Sequence, residues 1–373
     1  MFLIEGYDIH KLTLPLGRTI GDNNCSYEVL NVLVIALRSN QGNSGRGYAE
    51  SAWQGKFKHD AWYILQLPDV PQLEIDFLKT WWPVLKGRNP FDLEKERLGF
   101  SSGFHHLDSA VRLALWDLMA QEKQVPLWQL LNPSSSKKEV LAYGSILDFP
   151  LNDKEVLDLV QKFIMDGFGI IKVKIGASDV ERDIRRMHLI KSYTGDTVRL
   201  TADANEAWDW KTALDRIEQY LRHGIQLEYV EDPLHREDVS GFAELTKRSP
   251  IPIIGHDYVV DFDLLQRLVE YGGLSGIRTG KDIDHAMKCI HLAERSGIPV
   301  YLGNSIFEIN AHLAMAFDQV DRTEFSDLAT NAIIADPIRF RSGKIQAPAS
   351  IGHGLVPLPE KLVAFSSDNF IID

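Results

Sequence analysis

The chain has 373 residues and a formal net charge of -12, with 45% hydrophobic and 25% charged residues. That is an ordinary globular composition, and it excludes a collagen-like or wholly disordered chain. An acidic surface argues against nucleic acid or an anionic membrane as partner, yet leaves room for a small anionic substrate where a metal and a few lysines set the local field.

The N-terminal stretch MFLIEGYDIHKLTLPL lacks a basic region ahead of an apolar run, so it reads as a first strand rather than a signal peptide. Residues 1–50 are predicted to be β, from the runs in MFLIEGYDIHKLTL and YEVLNVLVIALRS with the turn cluster QGNSGRG after them. The region from about 58 to 132 reads as helical. Its clearest helix is LDSAVRLALWDLMAQEKQ, with a start at Asp108 or Ser109. Pro126 and Asn132-Pro133 mark a boundary.

Beyond it, short apolar strands alternate with amphipathic helices: EVLAYGSIL, GIIKVKIG, VRLTADAN, IQLEYVEDP, IPIIGHD, GLSGIRT and IPVYLG, with a last strand near AIIADPI. Glycines at 167, 195, 224 and 297 are placed to close helices. Repeated βα units with near-continuous apolar strands imply a parallel sheet closed into a barrel. No GxGxxG follows the first strand, which disfavours a dinucleotide site. No run of about 18 uncharged apolar residues occurs, so no membrane span is expected. The two cysteines, Cys25 and Cys289, form neither a disulfide framework nor a zinc spacing and suit a reducing cytoplasm.

In such a barrel, chemistry sits at the C-terminal strand ends. Lys172 and Lys174 lie two apart on one strand and so face one way, towards the mouth. The next strands end with Asp203 and Asn205, then Glu231 and Asp232, then His256 and Asp257, each about one βα repeat further on. A lone KVK is usually a solvated edge, and a lone DAN or EDP a turn; the ordered set at repeat spacing is neither. Carboxylates on neighbouring strands repel unless a cation lies among them, and hard oxygen donors favour Mg²⁺. Two ammonium groups about 7 Å apart repel by about 2.4 kcal/mol at an effective dielectric near 20, so a lysine here is expected to lose its proton more readily than usual. A metal with a lysine base suits removal of the proton α to a carboxylate.

These residues resemble the enolase superfamily, in its mandelate racemase and muconate lactonizing enzyme branch, over nearly the whole chain. KVK is similar to the family's KxK base motif, DAN and EDP to its first two metal strands, DSAVRLALWDLMAQEKQVPLWQLL to the helical part of its capping domain, and IHLAERSGIPVYLGNSIFE to its seventh strand. The resemblance implies a modified TIM barrel, (β/α)7β, of residues 134–340. It implies an α+β capping domain of residues 1–133, on which a tail of residues 341–373 packs. It also implies Mg²⁺ on Asp203, Glu231 and a third ligand, Lys174 as base and Lys172 as its electrostatic neighbour. The third-ligand strand reads Gly255-His256-Asp257, so either His256 or Asp257 takes that place; Asp257 is preferred as the harder donor. Asn205, Arg18, Trp53 and Glu308 are the implied substrate contacts. A small carboxylate, a sugar acid, is the implied partner, in a homo-oligomer.

Relatives that also act from the opposite face carry a lysine ending strand six, or a histidine ending strand seven. Here those strands offer Arg278, with Lys281 beyond it, and Gly303. Arginine stays protonated and is a poor base, but it binds a carboxylate or polarises a leaving hydroxyl well. One base-bearing face favours elimination of water, the reaction of an acid-sugar dehydratase, over two-base racemisation. A cycloisomerase or epimerase is the second choice, and a barrel that only binds an acid the third.

Overall fold

A computed structural model describes residues 1–57, 66–96, 100–146, 149–256, 261–280 and 282–366, with the backbone alone for 52–57. The first strands form an antiparallel meander, β1 (Ile4–Gly21), β2 (Cys25–Ser39) and β3 (Ser44–Phe57), in that order. Alternate residues of β1 and β2 are buried on opposite faces, which is why both strands are so rich in Leu, Val and Ile. Helices α1 (Val70–Lys79), α2 (Trp82–Leu85), α3 (Pro90–Lys95) and α4 (His105–Glu122) follow. They share one core with the sheet, in which Phe77, Trp81 and Val111 meet Leu33 and Ile35. Helix α4 lies directly on β3. A Cβ at Gly47 would sit 1.7 Å from the Ala110 carbonyl oxygen, so only glycine permits that approach.

Helix α4 begins earlier than the sequence suggested. Asp108 lies in its first turn with its carboxylate buried, accepting bonds from the Trp81 indole (2.8 Å), the Ser102 amide (2.9 Å) and the Ser101 hydroxyl (2.6 Å). The aspartate that reads as a cap is spent on tying α2 and the preceding loop to α4.

After α5 (Leu127–Leu131), the chain alternates β4 (Glu139–Ser145), α6 (Asp153–Met165), β5 (Ile170–Lys174), α7 (Val180–Thr194), β6 (Arg199–Asp203), α8 (Trp210–Arg222), β7 (Leu227–Glu231) and α9 (Val239–Arg248). It continues with β8 (Ile253–Gly255), α10 (Phe262–Glu270), β9 (Gly276–Thr279), α11 (Ile283–Ser296), β10 (Val300–Leu302), α12 (Asn310–Ala316) and β11 (Val320–Phe325). The strands pair in parallel in chain order, and β11 closes on β4 through Thr323↔Ala142 and Glu324↔Tyr143. The result is a closed barrel of eight parallel strands, a modified TIM barrel (β/α)7β carrying an antiparallel N-terminal sheet.

Five successive barrel helices, α7 to α11, start on an aspartate whose carboxylate accepts from the helix's own first-turn amides: Asp179, Asp209, Asp238, Asp261 and Asp282. These side chains turn the βα loops, which separates them from the carboxylates that point into the mouth. Gly297 closes α11 with φ 66°.

The closing strand is not where the sequence suggested. The run AIIADPI is an irregular segment behind a 3-10 turn, Ala329–Ile333, that buries Ile333 and Ile334. The real closing strand, VDRTEF, is polar because Glu324 points into the barrel and Asp321 faces solvent.

The tail returns across the molecule. A hairpin of β12 (Phe340–Arg341) and β13 (Lys344–Gln346) pairs with β4, then α13 (Pro359–Ala364) leads back to the first sheet. There the Thr13 amide donates to the Phe365 carbonyl at 2.8 Å, and the His353 amide donates to Asp117 of α4 at 2.8 Å. Among the described residues, no helix is long and apolar enough to cross a membrane.

Candidate active site

Strand geometry alone assembles the site. Lys174, Asp203 and Glu231 are successive register partners across β5, β6 and β7, so they form one row at the strand ends. Lys172, two residues earlier on β5, points the same way one layer deeper. All four side chains are buried. The Lys174 ammonium donates to Asp203 Oδ2 at 2.6 Å and to Asn205 Oδ1 at 3.1 Å. The Lys172 ammonium touches Asp203 (3.2 Å), both oxygens of Glu231 (3.1 and 3.2 Å) and Glu324 (2.9 Å).

Arg278 comes from β9, four strands round the eight-stranded barrel from β5 and hence across the mouth. Its Nε donates to Glu231 at 2.9 Å and its Nη2 to Glu324, which also accepts from the Tyr143 hydroxyl at 3.3 Å. Beside it, β10 ends at Gly303. A Cβ there would lie 2.7 Å from Arg278 Nη1, so the guanidinium fills the volume a strand-seven side chain would take.

Three cations thus face three carboxylates in a dry centre, and their proton affinities follow. Burial opposes the charge on Lys174, but Asp203 together with Asp22 and Glu324 outweighs it and holds the lysine above its ordinary range. Lys172 goes the same way, burial being outweighed by Glu231 and Glu324. The expected loosening of the lysine proton is therefore reversed here, because the carboxylates are closer to each ammonium than mutual repulsion can overcome. Burial resists ionisation of Asp203 too, yet Lys174 and Lys172 hold it down at about 2. Glu231 is displaced upward, chiefly by burial, although Arg278 and Lys172 pull it down.

The residues also suit a cation. Oxygens of Asp203, Glu231 and Asp232 lie within 4.8 Å of one another, all buried, which is a hard all-oxygen donor group. Like charges packed this closely are stable only when cations neutralise them, the service that Lys172, Lys174 and Arg278 perform here.

Behind this row lies a second network. The Glu206 carboxylate accepts from the Arg236 amide (2.9 Å), its Nε (2.9 Å) and its Nη2 (2.8 Å), and reaches His256 Nε2 at 3.3 Å. His256 Nδ1 lies 3.6 Å from Asp232 Oδ2. Burial works against the Glu206 charge, but the Arg236 fork and His256 prevail and keep it below the usual carboxylate range.

The remaining sequence candidates are spread round the rim. Asn205 adopts φ 47°, and its carbonyl accepts from the Asn24 side chain, so the loop between β1 and β2 touches the mouth. Arg18, on the irregular part of β1, donates to the Asp327 carbonyl at 2.6 Å, just beyond β11, while its Nε and Nη2 are buried with no partner among the described residues. Glu308 is buried in the 3-10 turn after β10 with φ 63°. Trp53 pairs by its backbone with Val29, and its side chain lies outside the described part, as do Asp257 and Lys281. Glu324, Tyr143, Glu206 and Arg236 were not anticipated. The one available signal was a buried-looking acid inside VDRTEF; Glu206 and Arg236 sit in turns that carry no pattern.

The sequence family described as Enolase C-terminal domain-like matches residues 155–361. Among characterised proteins, the chain is 23% identical over 364 residues to the 3,6-anhydro-alpha-L-galactonate cycloisomerase of Streptomyces coelicolor, covering 94% of this chain and 95% of that one. It is 26% identical over 376 residues to the L-talarate/galactarate dehydratase of Salmonella typhimurium, covering 94% and 88%. A solved structure described as a putative mandelate racemase from Mesorhizobium loti superposes with a TM-score of 0.90 at 30% identity, covering 99% of this chain and 96% of that one. The L-talarate dehydratase from Polaromonas sp. JS666, solved with Mg and L-glucarate, shares the fold with a TM-score of 0.82 at 22% identity and 98% coverage of each chain.

Proposed function

The chain belongs to the enolase superfamily, in its mandelate racemase/muconate lactonizing enzyme branch, and from that premise we propose that it is an acid-sugar dehydratase dependent on Mg²⁺. One observation carries the choice of reaction: the two sides of the mouth are unequal. Lys174 is a titratable group on β5, while the position across from it is filled by a guanidinium lying in the space above Gly303. A two-base racemase needs a proton acceptor on each side, and arginine does not serve as one.

Asp203 and Glu231 would hold the cation with a third oxygen donor, Asp232 or Asp257, the latter being the sequence's first choice. When bound, Mg²⁺ supplies positive charge at the substrate carboxylate, which makes the α-proton more acidic. Lys174 would act as the base in its neutral form, which is favoured whenever Asp203, the carboxylate at 2.6 Å that helps keep it protonated, is drawn off it. Lys174 then takes the α-proton, and Lys172 stays charged as its neighbour. The electron pair left on the α-carbon forms a double bond to the β-carbon as the β-hydroxyl departs. Lys174 returns its proton to that hydroxyl, which leaves as water, and the enol tautomerises to a 2-keto-3-deoxy acid. Asn205, Arg18, Trp53 and Glu308 contact the substrate, under a cap of residues 1–133 completed by the tail 341–373, over the barrel of 134–340.

The dehydratase relative supports this reading. The cycloisomerase relative, which spans nearly the whole chain, favours an isomerase as the second reading. A panel of mono- and dicarboxylic sugar acids with Mg²⁺, assayed for 2-keto acid, separates them. Keto-acid formation from at least one acid is expected. Ring-opened or epimerised product without any keto acid would replace the lyase by the isomerase.

A further inference from the structure

The imidazole that follows β8 is one residue from the candidate third ligand, yet its nitrogens are not part of the Asp203–Glu231–Asp232 donor group. Its Nε2 lies 3.3 Å from Glu206 and 3.4 Å from the Leu234 carbonyl, and its Nδ1 lies 3.6 Å from Asp232. Both ring nitrogens are turned to oxygens, and the ring edge rests on Phe242 with centroids 5.8 Å apart at 75°. The side chain is fully buried, so water does not compete for it. Glu206 is itself fixed by Arg236, which closes on it with a backbone amide and two guanidinium N–H groups. Glu206 stands at φ 61° and Asp232 at φ 46°, both in the left-handed region, so each is held where its tether requires.

We propose that Arg236 and Glu206 are positioning residues that clamp His256 away from the cation, keeping the centre all-oxygen and thereby selective for a hard ion. The alternative lies close at hand. His256 Nδ1 lies 3.6 Å from Asp232, whose carboxylate stands within 4.8 Å of those of Asp203 and Glu231, so a ring swung off Glu206 has the carboxylate group within reach. A nitrogen donor there raises affinity for Zn²⁺, Ni²⁺ and Co²⁺ over Mg²⁺, because imidazole suits the borderline ions and carboxylate the hard ones. Without the clamp the same backbone would build a mixed nitrogen–oxygen site. The inference rests on the reading that the ion binds at Asp203 and Glu231, but not on the identity of the acid.

The test uses the full-length metal-free protein without substrate. Mg²⁺, Zn²⁺ and Co²⁺ are each titrated calorimetrically into the wild type, Glu206→Ala, Arg236→Lys, His256→Ala and the double variant Glu206→Ala/His256→Ala. In Glu206→Ala, Mg²⁺ affinity is expected to fall about tenfold, in the range seen when the outer support of a ligand is lost, while Zn²⁺ affinity rises. The Co²⁺ complex should gain the stronger visible absorption of a nitrogen-containing site. Removing His256 as well should abolish the Zn²⁺ gain. Arg236→Lys keeps the charge but loses the fork, so it should shift the ratio in the same direction by a smaller factor, and it serves if Glu206→Ala does not fold. An unchanged Mg²⁺/Zn²⁺ ratio in these variants would overturn the clamp. So would a His256→Ala protein that loses Mg²⁺ binding outright, since the ring would then already be a ligand. A wild type that binds no divalent cation sinks both this inference and the metal half of the proposed reaction. A shifted ratio in a protein that dehydrates no acid keeps the clamp and removes the dehydratase.

Discussion

On one side of the mouth, β5 presents two ammonium groups to Asp203, Glu231 and Glu324. Across the barrel, β9 presents a guanidinium to two of the same carboxylates, and Gly303, just past β10, presents no side chain. Both sides neutralise the same carboxylates, two ammonium groups from β5 and one guanidinium from β9, so the sign of the charge does not distinguish them. Exchangeability of the proton does. A lysine gives up its charge when its carboxylate partner is withdrawn, whereas an arginine stays charged in any protein setting. Neutralisation from both sides with different proton chemistry is how one centre can be both stably charged and directional.

That contrast can be broken most directly at Lys174. Lys174→Ala is expected to lower α-proton exchange in D₂O, followed by NMR on a turned-over acid, by about a thousandfold, within the usual range for a general base. Exchange that survives would move the base elsewhere and dissolve the asymmetry. Next in size is Asp203→Asn, which removes a charge from the row that Lys174 and Glu231 share. Mg²⁺ affinity by calorimetry should fall by about a hundredfold. Arg278→Lys keeps the charge across the mouth but loses the simultaneous grip on Glu231 and Glu324. Keto-acid formation should slow by about thirtyfold with α-proton exchange nearly intact, a split that assigns the arginine to a step after proton removal. If both fall together, Arg278 belongs to the same step as the lysine. The smallest effect is expected for Gly303→Ala, whose methyl group presses on the guanidinium. A fewfold loss is predicted in the wild-type background and almost none beside Arg278→Lys, a coupling that a double-mutant cycle reads directly.

Much of this arrangement was legible in the chain. Lys172, Lys174, Asp203 and Glu231 announce themselves because each ends an apolar strand, and a charge at the end of such a run has few structural reasons to be there. The closing strand was misplaced for the converse reason. Glu324 faces inward to meet Lys172 and Arg278, so VDRTEF loses the apolar signature, while the more hydrophobic AIIADPI turns out to seat an irregular segment. Asp108 was misread because a buried acid within reach of an indole and two hydroxyls looks, in sequence, like any helix cap. The Arg236–Glu206 tether joins residues from the loops after the neighbouring strands β6 and β7, and no periodicity links positions in two such turns.

The hydrogen bond from Thr13 to Phe365 has a consequence for how the molecule is made. A strand that emerges among the first residues waits for a partner near the end of the chain, as helix α4 waits for His353. During synthesis the N-terminal sheet therefore stands with those bonds unmade until residues 353 and 365 have left the ribosome, after every strand of the barrel. A nascent chain arrested before residue 350 should thus expose the early sheet to chaperones and proteases.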